Sequence, residues 1–154
     1  MPGTSAADLE ELDIGTNVKL EFPEGSSKIM NLRITIKPQD GLWKGGTYEF
    51  GVTFKASYPH EPPKVTLATP CYHPNLDKDG GVCINILRKD WKPVLDLNSV
   101  IYGMCLLFDE PNPGDPLDIA CAELMRKDKS AFERNVDSSM RGRSVDGRSF
   151  PKFR

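Results

Sequence analysis

A chain of 154 residues is long enough for one domain that buries roughly 68–70% of the surface its unfolded form exposes, so a core is expected and no second domain is needed. With 20 basic against 22 acidic residues and a net charge of −2, the chain as a whole has no electrostatic footprint for nucleic acid or an anionic membrane, and neither is expected as a partner. The longest apolar run, residues 100–108, is nine residues broken by Gly103, well short of the roughly 20 that span a bilayer.

The N-terminal stretch MPGTSAADLEELD is acidic and lacks the basic and apolar regions of a secretion signal, so a soluble intracellular protein is expected. Within it, AADLEEL reads as about two turns of helix, ended by Asp13-Ile14-Gly15. Val18, Leu20 and Phe22 then alternate with polar residues, Pro23-Glu24-Gly25-Ser26-Ser27 turns, and Leu32, Ile34 and Ile36 alternate again, which predicts a hairpin. After Pro38-Gln39-Asp40-Gly41 and Gly45-Gly46, the residues Tyr48, Phe50, Val52 and Phe54 mark one face of a third strand. The segment Tyr58-Pro59-His60-Glu61-Pro62-Pro63 is too proline-rich for a ladder, and Val65 and Leu67 make a short fourth strand. Short sequential connections favour an antiparallel meander.

Residues 68–95 carry no long period, and such a segment in a compact domain is usually functional or disordered. Its apolar content (Val82, Ile84, Ile86, Leu87, Trp91) points to order and function, against the plainer reading of a surface loop stitched down by Trp91. Cys83 follows the pair Gly80-Gly81, where the backbone can turn tightly and leave room for another chain. Eight residues upstream, Asn75 sits behind His73-Pro74, a stiff turn that can hold its amide in one orientation. A nucleophile beside a preorganised amide suggests acyl chemistry. Cys, His and Asn together also fit a papain-like hydrolase with His73 as base, although His73 is pinned before Pro74 and the other histidine, His60, lies in the proline-rich loop.

The cysteines at 71, 83, 105 and 121 form no C-x-x-C pair, and separations of 12, 22 and 16 residues match no common zinc spacing, so reduced thiols are expected. Cys71-x-His73 could give two metal ligands, but nothing nearby completes a set. Cys105 and Cys121 fall in helical patterns and read as small buried hydrophobes.

Asn98 or Ser99 can cap a helix running to Phe108 or Asp109, with Val100, Ile101, Met104, Leu107 and Phe108 at core spacing. After the interruption PNPGDP at 111–116, helices are expected from Leu117 to about Lys127 and from Ser130 to about Met140. Three helices around a four-stranded meander give an α+β class, with residues 1–142 as one domain and 143–154 as a basic tail. Five cations against Asp146 in RGRSVDGRSFPKFR read as a solvated, partly mobile end.

HPN, seven residues, Cys83, then N-I-L and a tryptophan, with E-P-N-P-G-D-P-L at 110–117, resembles the ubiquitin-conjugating enzyme family. Y-P-x-x-P-P-K-V at 58–65 and W-K-P-V-L at 91–95 extend the resemblance over nearly the whole chain. C-I-N-I-L-R-K-D-W-K-P-V-L, the Asn98-Ser99-Val100-Ile101-Tyr102-Gly103 run, the Ser139-Met140-Arg141-Gly142 ending and Asn85, where many ubiquitin-specific relatives have aspartate, look closest to the neddylation branch. The resemblance implies an antiparallel meander flanked by helices and a two-step acyl transfer. In it Cys83 accepts a ubiquitin-like modifier from an activating enzyme and a substrate lysine then attacks the thioester. It implies that Asn75 stabilises the oxyanion directly or by holding the local loop, that Asp115 orients and helps deprotonate the lysine, and that His73 and Asn85 support the site structurally. His60, Pro93 and Val94 match the ligase-contact loops; the implied partners are a RING-type ligase and cullin substrates, the compartment cytoplasm or nucleus, and no cofactor or metal. An aromatic often stands at the His60 position in ubiquitin-specific relatives, so a different ligase is expected. The branch's basic N-terminal extension and full first helix have no match here, and a shortened N-terminus is expected. A ubiquitin-specific enzyme and a non-catalytic scaffold of the same fold stay open as alternatives, the latter expected to lack the cysteine.

Overall fold

The computed structural model describes residues 16–21, 31–84, 87, 91–92 and 97–154; the short N-terminal helix and the 23–27 turn lie outside the described residues. Four strands, β1 (Thr16–Glu21), β2 (Asn31–Pro38), β3 (Tyr48–Thr53) and β4 (Lys64–Leu67), pair in chain order and antiparallel throughout. The register sets Ile34 opposite Phe50, Ile36 opposite Tyr48 and Val52 opposite Val65. All of these side chains are buried, because alternation at period two brings every apolar residue to one face. The other face carries the ion pairs Lys19–Glu21, Arg33–Glu21 and Arg33–Glu49, all well exposed. Exposed pairs contribute about 0–1 kcal/mol each, so register is set by the buried face.

Helix α1 (Leu97–Asp109) covers that face with Val100, Ile101, Met104, Leu107 and Phe108, the spacing the sequence predicts. Phe108 stacks on Tyr48 at 4.8 Å between ring centroids and meets Trp43 edge-on at 6.0 Å, contacts that each add about 0.5–1.5 kcal/mol to the area they bury. Helices α2 (Ile119–Lys127) and α3 (Lys129–Met140) complete the α+β arrangement. α2 starts two residues later than predicted for a physical reason. The Leu117 and Asp118 N–H groups donate to the Pro74 carbonyl at 2.8 and 3.1 Å, and the Asp118 carboxylate caps the helix by accepting from Cys121 N.

The basic C-terminal segment corrects the sequence reading. It is not a solvated end: Val145 and Phe150 are buried, and backbone bridges tie Arg141 to Lys152 and Val145 to Arg148. Arg154 donates to Asp137 at 2.8 Å and to the carbonyls of Leu42 and Lys44 at 2.9 and 3.0 Å, while Phe153 meets Tyr48 edge-on. Three apolar side chains spread among five cations carry no readable period, and two of the cations, Arg148 and Arg154, find acceptors on distant elements.

Candidate active site

Among the described residues between β4 and α1 there is neither an α-helix nor a sheet strand; the backbone is held instead by local turns. Asp77 Oδ1 accepts from Asp79 N at 2.9 Å and Gly81 N at 2.6 Å, and Leu76 bridges Val82. Gly80 has φ +87, and a Cβ there would sit 2.8 Å from the Leu67 carbonyl, so this turn against β4 needs glycine. The fold-back brings Cys83 beside Asn75, with Cys83 N donating to Asn75 O at 3.0 Å.

His73 lies beneath this turn, fully buried, its ring 4.6 Å from that of Trp43. Its Nδ1 accepts from Asn75 N at 2.9 Å, which leaves the proton on Nε2 to donate to the Leu107 carbonyl at 2.6 Å. Burial pushes its pKa down to about 4, against a smaller upward pull from Leu107. Both ring nitrogens are committed away from Cys83, an arrangement that does not serve a base acting on the thiol.

Asn75 is also buried, and its amide is fully used. Nδ2 donates to the carbonyls of Asn112 at 2.8 Å and Asp115 at 3.2 Å, while Oδ1 accepts from Asn112 N at 2.9 Å. Both amide protons therefore grip the loop after α1. This geometry favours the loop-holding of the two roles expected from the sequence, since a direct bond to an oxyanion would need one of these bonds to break. The loop carries Asp115 up to the thiol, Cys83 Sγ lying 3.5 Å from Asp115 Oδ2.

Cys83, Asn75 and Asp115 thus line one cleft of about 550 Å³, walled on the α1 side by Ser99, Tyr102 and Leu106 and closed by Glu110 and Asn112. The cleft offers a thiol to an incoming carbonyl and a carboxylate beside that thiol to an incoming ammonium. The other three cysteines offer no such chemistry, because burial pushes Cys105 and Cys121 up to about 12 and Cys71 higher still. Among the described residues, no His, Cys, Asp and Glu group could hold a metal ion.

His60 is exposed and does not line the cleft; it sits on a tight turn after the cis Tyr58–Pro59 peptide, its N–H donating to Ser57 O at 2.8 Å. Trp91 Nε1 donates to the Pro59 carbonyl at 3.0 Å, so the tryptophan does stitch this loop to the catalytic stretch. Asn85, Pro93 and Val94 fall outside the described residues. The acceptors that organise the site, the carbonyls of Pro74, Leu107 and Asn112, had no signal in the sequence, because any residue type supplies a carbonyl.

Residues 7–140 match the family described as ubiquitin-conjugating enzyme. Two Arabidopsis thaliana proteins, a "Probable NEDD8-conjugating enzyme Ubc12-like" and a "NEDD8-conjugating enzyme Ubc12", are each 46% identical over 145 residues, covering 94% of this chain and 78% and 79% of their own lengths. The solved structure of "S. cerevisiae Ubc12" superposes with a TM-score of 0.82 at 36% identity, over 96% of this chain and 82% of that one.

Proposed function

The chain belongs to the ubiquitin-conjugating enzyme family, and from that membership we propose that it carries NEDD8 as a thioester on Cys83 and transfers it to substrate lysines, those of cullins among them. One observation carries the reading: Cys83 lines the cleft with a carboxylate, that of Asp115, 3.5 Å from its sulfur. In the first step the Cys83 thiolate attacks the modifier's C-terminal carbonyl on the activating enzyme, a new S–C bond forms and the activator's thiolate leaves. In the second, a neutral lysine Nζ attacks that carbonyl, the nitrogen gives up a proton to solvent, and the tetrahedral oxyanion collapses to an isopeptide with Cys83 thiolate as leaving group. Because the incoming acyl group is already activated, Cys83 needs no private base, which suits a His73 turned away from it.

Asp115 is positioned to orient the lysine ammonium and take its proton, and Asn75 holds the loop that carries Asp115. A RING-type ligase would dock on the loops bearing His60, Pro93 and Val94. Four free thiols suit a reducing compartment, and we place the activity in the cytoplasm or nucleus.

The test is a charging assay with ATP that offers NEDD8 and ubiquitin, each with its own activator. NEDD8 should form a thiol-labile adduct that Cys83→Ala abolishes and Cys83→Ser converts to a thiol-resistant oxyester. Charging by ubiquitin alone would shift the assignment to a ubiquitin-specific enzyme, and a labile adduct on Cys83→Ala would remove Cys83 from the chemistry.

A further inference from the structure

The loop that delivers Asp115 holds itself by one hydrogen bond of its own, Gly114 N donating to Asn112 Oδ1 at 2.9 Å. Pro111, Pro113 and Pro116 have no N–H to donate, and Gly114 adds no side chain of its own. Asn75 secures the Asn112 and Asp115 backbone from the cleft side, and the Pro74 carbonyl secures Leu117 and Asp118 beyond. Between them the carbonyl of Pro113, a residue outside the cleft lining, meets a cation. Arg126 Nη2, from the last turn of α2, donates to it at 2.6 Å.

A basic residue in the last turn of a helix is ordinary, since it meets the negative end of the helix dipole. What sets Arg126 apart is where its side chain goes. Helical side chains lean toward their own N-terminus, and Arg126 uses that lean to reach 13 residues back onto the loop that precedes the helix. Among the described residues it forms no ion pair, so the charge-assisted bond to Pro113 is its one anchoring contact.

We infer that Arg126 is a positioning residue for aminolysis: it clamps the Pro113 peptide so that Asp115, two residues on, keeps its carboxylate at Cys83. Gly114 is the link between clamp and carboxylate, and a link without Cβ passes on any slack at Pro113 as a misplacement of Asp115. The inference rests on the conjugating activity proposed above. The first step has no need of Asp115, so Arg126 bears on discharge to lysine and not on charging.

The experiment uses the full chain, charged with NEDD8 and then chased with free lysine after the activator is stopped. Arg126→Ala should charge like the parent and melt like it, the side chain being exposed, yet discharge on the order of tenfold more slowly, since misplacement by about 1 Å can cost up to a hundredfold. Arg126→Lys, which keeps a cationic donor, should recover part of the rate. The deficit should shrink as pH rises toward the lysine pKa, where the amine needs less help, and in an Asp115→Ala background Arg126→Ala should add nothing. A parental discharge rate in Arg126→Ala, or a loss that multiplies that of Asp115→Ala, overturns the inference. Failure of the parent itself to charge would sink the conjugating reading instead, and the inference with it.

Discussion

Asn75 shows how much one side chain can decide. Its amide bonds Asn112 N–H and two carbonyls of the loop between α1 and α2 at once, so Asn75→Ala removes three part-buried hydrogen bonds. That costs about 1–3 kcal/mol, which at this chain length lowers Tm by about 2–4 °C per kcal/mol. The variant should still charge Cys83, and its discharge to lysine should slow because Asp115 loses its seat. Thermal melts and single-turnover discharge read the two effects separately; a discharge rate equal to the parent's would take Asn75 out of the mechanism. His73 bears the same lesson from the other direction. Residue type alone makes it a candidate base, and its two hydrogen bonds make it a strut.

At the scale of elements, the strands and helices follow from local pattern, and the junction of α2 and α3 from a local cap. Asp128 serves two helices at once, its N–H closing α2 on the Leu124 carbonyl at 2.8 Å and its carboxylate opening α3 on Ala131 N at 3.1 Å. Asp128→Ala keeps the first bond and loses the second, so a cost of about 1 kcal/mol is expected. Calorimetry should show the fall in Tm while charging and discharge stay at parental rates; an unchanged Tm would mean that α3 does not depend on this cap. The loop between α1 and α2 behaves differently: beside its internal Gly114–Asn112 bond it is held from outside by Asn75, Pro74 and Arg126. Near the end of α3, Arg141 and Arg154 hold the Asp137 carboxyl below its usual range.

For the molecule as a whole, His73 couples the site to stability. Its folded pKa of about 4 lies below the ordinary 6.5, so as pH falls from 6.5 the unfolded chain takes up a proton that the folded chain refuses. Stability from this group is complete above pH 6.5 and declines by about 3 kcal/mol by pH 4. Asp137 acts in a separate window: its stabilisation is present above the ordinary value of 3.8 and is lost as pH falls through its lower folded pKa. Denaturant midpoints across pH 4–7 should therefore slope less steeply in His73→Gln than in the parent; parallel slopes would mean that His73 is not held neutral in the fold.

Alternation at 32–36 and 48–52, helical spacing at 100–108 and a tight glycine turn beside Cys83 could all be read from the sequence, because each is a periodicity or a turn within about a dozen residues. The Asp115 carboxylate stands 32 residues from the thiol it faces, the Asn75 amide is spent on partners 37 and 40 residues away, and Arg154 reaches a carbonyl 112 residues away. A local pattern reports which side of an element is buried. Which buried groups meet, and which proton is left free, is decided only when the elements pack and every polar group under them must find a partner.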